Sequence, residues 1–183
     1  MGRLILIGGG MRSGKSRFAV GLAESFGDHR VFIATARATD DEMRERIQRH
    51  QAERAQRFRT VECPIELVDA VEANGNADVI VIDCLTLWIA NQLELGCDNV
   101  EVLNRVDRLI GVALTQRATT VVVSNEVGMG LVSLSDVGRR FQDLTGWAHQ
   151  RLVRAAAEVH VAIMGCVLRI LPDPVTVMTM VRG

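Results

Sequence analysis

Lysine is almost missing from this chain. Of 21 basic side chains, 20 are arginine and Lys15 is the single lysine. Arginine therefore serves wherever a generic cation will do, and the lone lysine marks a position where chemistry asks for that residue. Surplus charge is missing too. The formal net charge is -1 and the pI is near 6.4, which removes the basic footprint expected of a chain whose main partner is nucleic acid or an anionic membrane. Any anion site must be local. Long hydrophobic runs are lacking: the segment MGRLILIGGGMRS holds only a few apolar residues before three glycines, too few for a signal peptide or a membrane span. Leu6 stands where a myristoylation signal needs serine or threonine. The four cysteines, Cys63, Cys84, Cys97 and Cys166, form no CxxC pair, so metal and redox motifs of that spacing are excluded and reduced, structural thiols in a cytoplasm are expected.

What is present is enough for one domain, since 183 residues at 48% hydrophobic content can bury a sizeable core. Short, β-branched, unbroken apolar runs lie at 4–7, 31–34, 79–82, 121–123 and 159–163. Such runs read as strands buried on both faces, hence a parallel sheet. Helical spacing fills the segments at about 15–26, 40–57, 85–94, 99–117 and 136–156. The alternation predicts an α/β domain, a mostly parallel sheet flanked by helices, with ligands at the carboxyl ends of the strands. The domain is expected to span residues 1–171. A tail at 172–183, with Pro172 and Pro174 bracketing Asp173, is compatible with an edge strand and has no readable role.

Gly9, Gly10, Met11, Arg12, Ser13, Gly14, Lys15 and Ser16 satisfy GxxxxGK[ST], directly after the first strand and before an amphipathic segment. Both context requirements of a P-loop are met. Backbone N–H groups in such a loop face phosphate oxygens and the following helix adds its positive end. Lys15 would reach the β- and γ-phosphates, and the Ser16 hydroxyl would ligate Mg²⁺. The partner of such a site is a carboxylate at the end of a buried strand, and Val79 to Asp83 supplies one; Asp83 is the candidate on the magnesium side. Ser124 to Gly130 (SNEVGMG) follows another buried strand. It reads either as an ordinary strand-to-helix turn or as a substrate loop presenting Asn125 and Glu126.

Residues 40–57 are dense in charge, and a solvated helix is the default reading. At about 100° per residue, Met43, Ile47, His50 and Arg54 share a stripe roughly 60° wide, flanked by Arg46. Neighbouring guanidiniums disfavour the charged imidazole, leaving a neutral, nucleophilic ring near pH 7. A structural histidine on a half-buried helix face fits the same angles. His29, His149 and His160 lack comparable surroundings in the sequence.

Taken together, GGMRSGKS at 9–16, the run Ile33 to Ala36, Asp41-Glu42-Met43, Arg46 to His50, the block Asp83-Cys84-Leu85-Thr86 and SNEVGMG resemble the bifunctional adenosylcobinamide kinase/adenosylcobinamide-phosphate guanylyltransferases. Gly138-Arg139-Arg140-Phe141 and His149-Gln150-Arg151-Leu152 extend the resemblance over roughly residues 3–171. It departs at Ser133-Leu134, where the family usually has Pro-Glu, and at His149, where it has asparagine. The resemblance implies a P-loop NTPase-like fold. It also implies phosphorylation of the aminopropanol hydroxyl of adenosylcobinamide with ATP or GTP, then transfer of GMP from GTP through a guanylylated His50. It further implies that Ala34, Thr35, Ala36, Gln51, Ala52, Glu53, Arg54, Glu62 and Asp83 help hold the guanine nucleotide, and that the chain assembles as a homotrimer. Two rival readings remain at this stage: a one-step P-loop small-molecule kinase with a structural His50, and a nucleotide-switch module. Only the bifunctional reading requires a covalent nucleotide.

Overall fold

The unbroken apolar runs become the inner strands of one sheet. The computed structural model describes residues 2–37, 57–172 and 176–179, so the charged segment carrying His50 lies outside the described residues. Eight strands are described: β1 (Arg3–Gly9), β2 (Arg30–Ala34), β3 (Arg59–Glu62), β4 (Val79–Asp83), β5 (Thr119–Val123), β6 (Glu158–Ile163), β7 (Cys166–Leu171) and β8 (Thr176–Thr179). They lie in the order β3-β2-β4-β5-β1-β6-β7-β8. The first six run parallel, and β7 and β8 add antiparallel at one edge.

Alternate residues of β1 face opposite layers. Leu4 and Leu6 join one core with Ile80, Ile82 and Val122, whereas Ile5 and Ile7 join the other with Val79, Val81 and Val121. Both faces are covered, so the strand reads as a continuous run rather than an alternation. Each such side chain, fully buried, contributes about 1.5–3 kcal/mol. The first layer is covered by α2 (Leu67–Ala73), α3 (Leu85–Glu94), α4 (Asn99–Thr115) and α5 (Asp136–Ala155); the described helix on the other layer is α1 (Lys15–Ala23). Val102, Val106, Leu109 and Ala113 give α4 a single buried stripe, the i, i+4, i+7 pattern that seats a helix on a sheet. Asp98 caps α4 by accepting from the Glu101 N–H, and Ser135 caps α5 by accepting from that of Gly138.

Three elements were not foreseen from sequence. β3 and α2 are short, and β7 returns beside β6 through a two-residue turn, with Ile163 opposite Cys166. That turn places Met164 at φ 52° and Gly165 at φ 83°, so only its second residue is the glycine that hairpin turns favour. β8 pairs with β7 at the edge of the sheet.

Candidate active site

Parallel register brings the carboxyl ends of five strands to one rim. Glu62 pairs with Ala34, Ala34 with Asp83, Asp83 with Val123, and Val123 with Ile7. The glycine loop therefore begins two strands from Asp83, at ~10 Å of lateral spacing, with the exit of β5 between them. Glu62 stands at the far end of the row.

The loop from Gly9 to Ser16 is shaped by backbone that only glycine takes without strain. Gly9 has φ 152° and a Cβ there would sit 2.4 Å from the Ala162 carbonyl oxygen. Gly14 enters α1 at φ 94°, and Arg12 adopts φ 55° between them. Lys15 is 7% exposed and its Nζ donates to the Gly10 carbonyl at 3.0 Å, so the ammonium is folded back across the loop. The turn of the β6–β7 hairpin closes over the same loop, where the Gly165 N–H donates to the Ser13 carbonyl at 3.2 Å. The Ser13 hydroxyl is buried without a hydrogen-bond partner among the described residues. Met11 and Arg12 are exposed and Ser16 is half-buried in the first turn of α1.

Asp83 is half-buried at the end of β4. Next to it the Thr35 hydroxyl donates to the Cys84 carbonyl at 2.7 Å and accepts from the Cys84 N–H at 2.8 Å. That pair ties the Ala34-Thr35-Ala36 segment to the Asp83 corner. Asn91 of α3 holds the segment from behind, donating to the carbonyls of Thr35 and Pro64 at 2.9 Å each. Burial raises the Cys84 thiol, and the Asp83 charge adds to this, while the charge on Lys15 works the other way. Cys84 is thus an uncharged thiol beside Asp83.

The Ser124 to Gly130 segment leaves β5 against the P-loop. The Ser124 N–H donates to the Ile7 carbonyl at 3.0 Å and the Glu126 N–H to that of Gly9 at 2.9 Å. Asn125 Nδ2 donates to the Thr86 hydroxyl at 3.0 Å, joining this corner to the Asp83-Cys84-Leu85-Thr86 block. His149 of α5 has Nε2 2.6 Å from the Ser124 Oγ and Nδ1 3.7 Å from Glu126 Oε2. Sequence spacing shows no neighbours for His149 like those of His50; its partners in the fold, Ser124 and Glu126, come from residues more than twenty positions away. His160 likewise has a partner in Glu158, at 2.8 Å. Sequence reasoning also missed Thr86, Asn91 and Gln142 as supports. The corner beyond Glu126 is apolar and open, with Leu131 95% and Leu134 98% exposed.

Asp83 and Ser16 fit a magnesium-nucleotide: one carboxylate and one hydroxyl suffice when phosphate and water complete the shell. No larger metal-binding cluster occurs among the described residues. His50, Gln51, Ala52, Glu53 and Arg54 lie outside the described residues. No helix among the described residues is long and apolar enough to cross a membrane.

Solved structures share this architecture at low sequence identity. The flagellar accessory protein FlaH from Methanocaldococcus jannaschii matches with a TM-score of 0.55 at 14% identity, over 97% of this chain and 78% of that one. The RadB recombinase matches with 0.54 at 13%, over 91% and 79%. That likeness is one of fold. Sequence relatives say more. The bifunctional adenosylcobalamin biosynthesis protein CobP of Pseudomonas aeruginosa is 37% identical over 171 residues, 92% of this chain and 98% of that protein. CobU of Salmonella typhimurium, named as the same bifunctional protein, is 36% identical over 182 residues, 91% of this chain and 99% of that one. The family model CobU, described as cobinamide kinase / cobinamide phosphate guanyltransferase, matches residues 5–170. With its phosphate loop, acidic strand end and SNEVGMG corner within that span, the chain belongs to the cobinamide kinase / cobinamide phosphate guanyltransferase family.

Proposed function

We propose that this protein phosphorylates the aminopropanol hydroxyl of adenosylcobinamide with ATP or GTP, then takes GMP from GTP onto His50 and passes it to the new phosphate, giving adenosylcobinamide-GDP. The observation that carries the reading is the buried Lys15 folded over a glycine loop, two strands from Asp83 on the same rim, in a chain of this family. Lys15 and the loop amides hold the β- and γ-phosphates, and Ser16 with Asp83 would hold the magnesium ion, which when bound neutralises charge on the phosphates. In the first half-reaction the loop aligns the γ-phosphorus for attack by the alcohol. In the second, the neutral imidazole of His50 attacks the α-phosphorus and pyrophosphate leaves. Ala34, Thr35, Ala36, Gln51, Ala52, Glu53, Arg54 and Glu62 are assigned to the nucleotide. Asn125 and Glu126 are assigned to the alcohol side. Assembly as a homotrimer, a cytoplasmic location and the absence of a nucleic-acid partner belong to the same proposal.

The experiment is incubation with GTP labelled at the α-phosphate, without corrinoid. One GMP per chain should be retained through alkali and lost in acid, because protonating the ring nitrogen makes imidazole a good leaving group. His50→Asn should abolish labelling and guanylyl transfer while most kinase activity persists. Full labelling of that variant, or GMP on another residue, sinks the covalent role of His50.

A further inference from the structure

Beside the phosphate loop stands a cluster of three side chains that nucleotide binding does not account for. Ser124, His149 and Glu126 make a serine-histidine-carboxylate set, with His149 Nε2 2.6 Å from the Ser124 Oγ and Nδ1 3.7 Å from Glu126 Oε2. Composition alone suggests a hydrolytic nucleophile. Exposure rules that out, since Ser124 is 0% exposed and its hydroxyl cannot meet a substrate. The set must work in the other direction, toward Glu126, whose side chain is reachable.

Burial holds the His149 ring below the ordinary imidazole range, against the opposing pull of the Glu126 charge. The ring is therefore neutral near pH 7. The tautomer that suits both neighbours has Nε2 accepting from the Ser124 hydroxyl and the hydrogen on Nδ1, since the other would set an Nδ1 lone pair against the Glu126 carboxylate at 3.7 Å. The Gly128 N–H donates to the second carboxylate oxygen, Oε1, at 2.7 Å. The backbone of Glu126 is pinned as well, its N–H donating to the Gly9 carbonyl. Both ends of the residue are thus fixed at the exit of β5, between the P-loop strand and the Asp83 strand. Each carboxylate oxygen retains a lone pair to receive a proton.

We propose that Glu126 takes the proton of the substrate alcohol during phosphoryl transfer, and that His149, held by Ser124, is the residue that positions it. This rests on the kinase half of the function proposed above. As the alcohol oxygen bonds to the γ-phosphorus, its proton passes to a Glu126 oxygen. The bond from the γ-phosphorus to the bridging oxygen breaks, the nucleoside diphosphate leaves with that electron pair, and the proton is later released to water. Guanylyl transfer differs in kind. Its acceptor is an ionised phosphate oxygen with no proton to surrender, so this base has no task there.

The test uses the full-length enzyme with ATP and cobinamide for one half-reaction, and GTP with cobinamide phosphate for the other. Glu126→Gln should lower kinase kcat on the order of 10²–10⁴-fold, the usual worth of a positioned base, with any change in guanylyl transfer at least tenfold smaller. His149→Ala should cost about 10–100-fold, as loss of a supporting partner does. His149→Asn, whose amide can donate to Glu126, should recover most of that loss and also covers the case where the alanine variant fails to fold. In the Glu126→Gln background, His149→Ala should cost nothing further, because its effect runs through the carboxylate. Wild-type kinase kcat in Glu126→Gln, equal loss of both half-reactions, or an undiminished His149 effect in the Glu126→Gln background would each overturn the inference alone. A wild-type enzyme that cannot phosphorylate cobinamide overturns the proposed function with it.

Discussion

Two loops leave the same rim side by side and are built by opposite means. The Gly9 to Gly14 loop is held by its own backbone, through left-handed glycines, the Lys15 reach to Gly10 and one hydrogen bond from the β6–β7 turn. The 124–135 loop is held by side chains of α5. Gln142 donates to the carbonyls of Val127 and Leu131 at 3.0 and 3.2 Å and accepts from the Ser133 N–H, Arg139 donates to Ser133 and Leu134, and His149 meets Ser124 and Glu126. A loop fixed by backbone presents one shape to a constant group such as a phosphate. A loop fixed from outside can carry an apolar, exposed tip toward a large and variable ligand.

The largest expected effect separates shared machinery from dedicated machinery. Lys15→Ala should lower both half-reactions by on the order of 10²–10³, since each seats a triphosphate in the same loop before a different phosphorus reacts. Steady-state rates with each acceptor check this, and an unimpaired kinase would remove the P-loop assignment. Next, Gln142→Ala should loosen the second loop without touching the first. Its three hydrogen bonds lie at a half-buried site that water can reach once the side chain is cut back, so urea unfolding should show a loss of about 1 kcal/mol. Amide exchange should accelerate at 127–133 while nucleotide affinity stays within about twofold. A matching drop in nucleotide affinity would make the two loops one unit.

The smallest effect is on stability in acid. Burial lowers the pKa of His149 beside the second loop and of His160 on β6 beside the first. The unfolded chain therefore binds more protons than the folded one once pH drops below about 6.5, and stability declines there while staying level above it. Thermal melts at pH 7.5 and 5.5 of wild type, His149→Asn and His160→Gln should assign the decline between the two sites. No difference between the two pH values would mean that neither ring stays neutral.

The contrast between the loops also governs what could be read from sequence. A backbone-built loop writes its requirements locally, so Gly9, Gly14 and Lys15 were legible in eight consecutive residues and the strand before them in the apolar run at 4–7. Asp83 was legible because a continuous apolar run announced its strand. Side-chain supports write nothing locally. Gln142, Arg139 and His149 meet the second loop only because α5 packs over the sheet, and periodicity gave the helix but not its neighbours. Strand order was equally hidden, since parallel pairing leaves no turn between partners. The β6–β7 hairpin escaped notice because Met164 occupies a place usually given to asparagine or glycine.

The hairpin turn that closes over Ser13 has a consequence for the order of events during synthesis. β1 lies between β5 and β6, and Gly165 reaches back across about 150 residues to touch the loop that follows β1. β1 therefore waits for β6 and β7, far downstream, before the loop that follows it has all its walls. Until residues 158–171 have emerged and paired, a nascent chain carries the complete GxxxxGK[ST] text but an unfinished seat, and β1 exposes the edge that β6 will cover. Nucleotide can then stabilise only the finished fold, acting as a late lock on the chain and not as a template for its early steps.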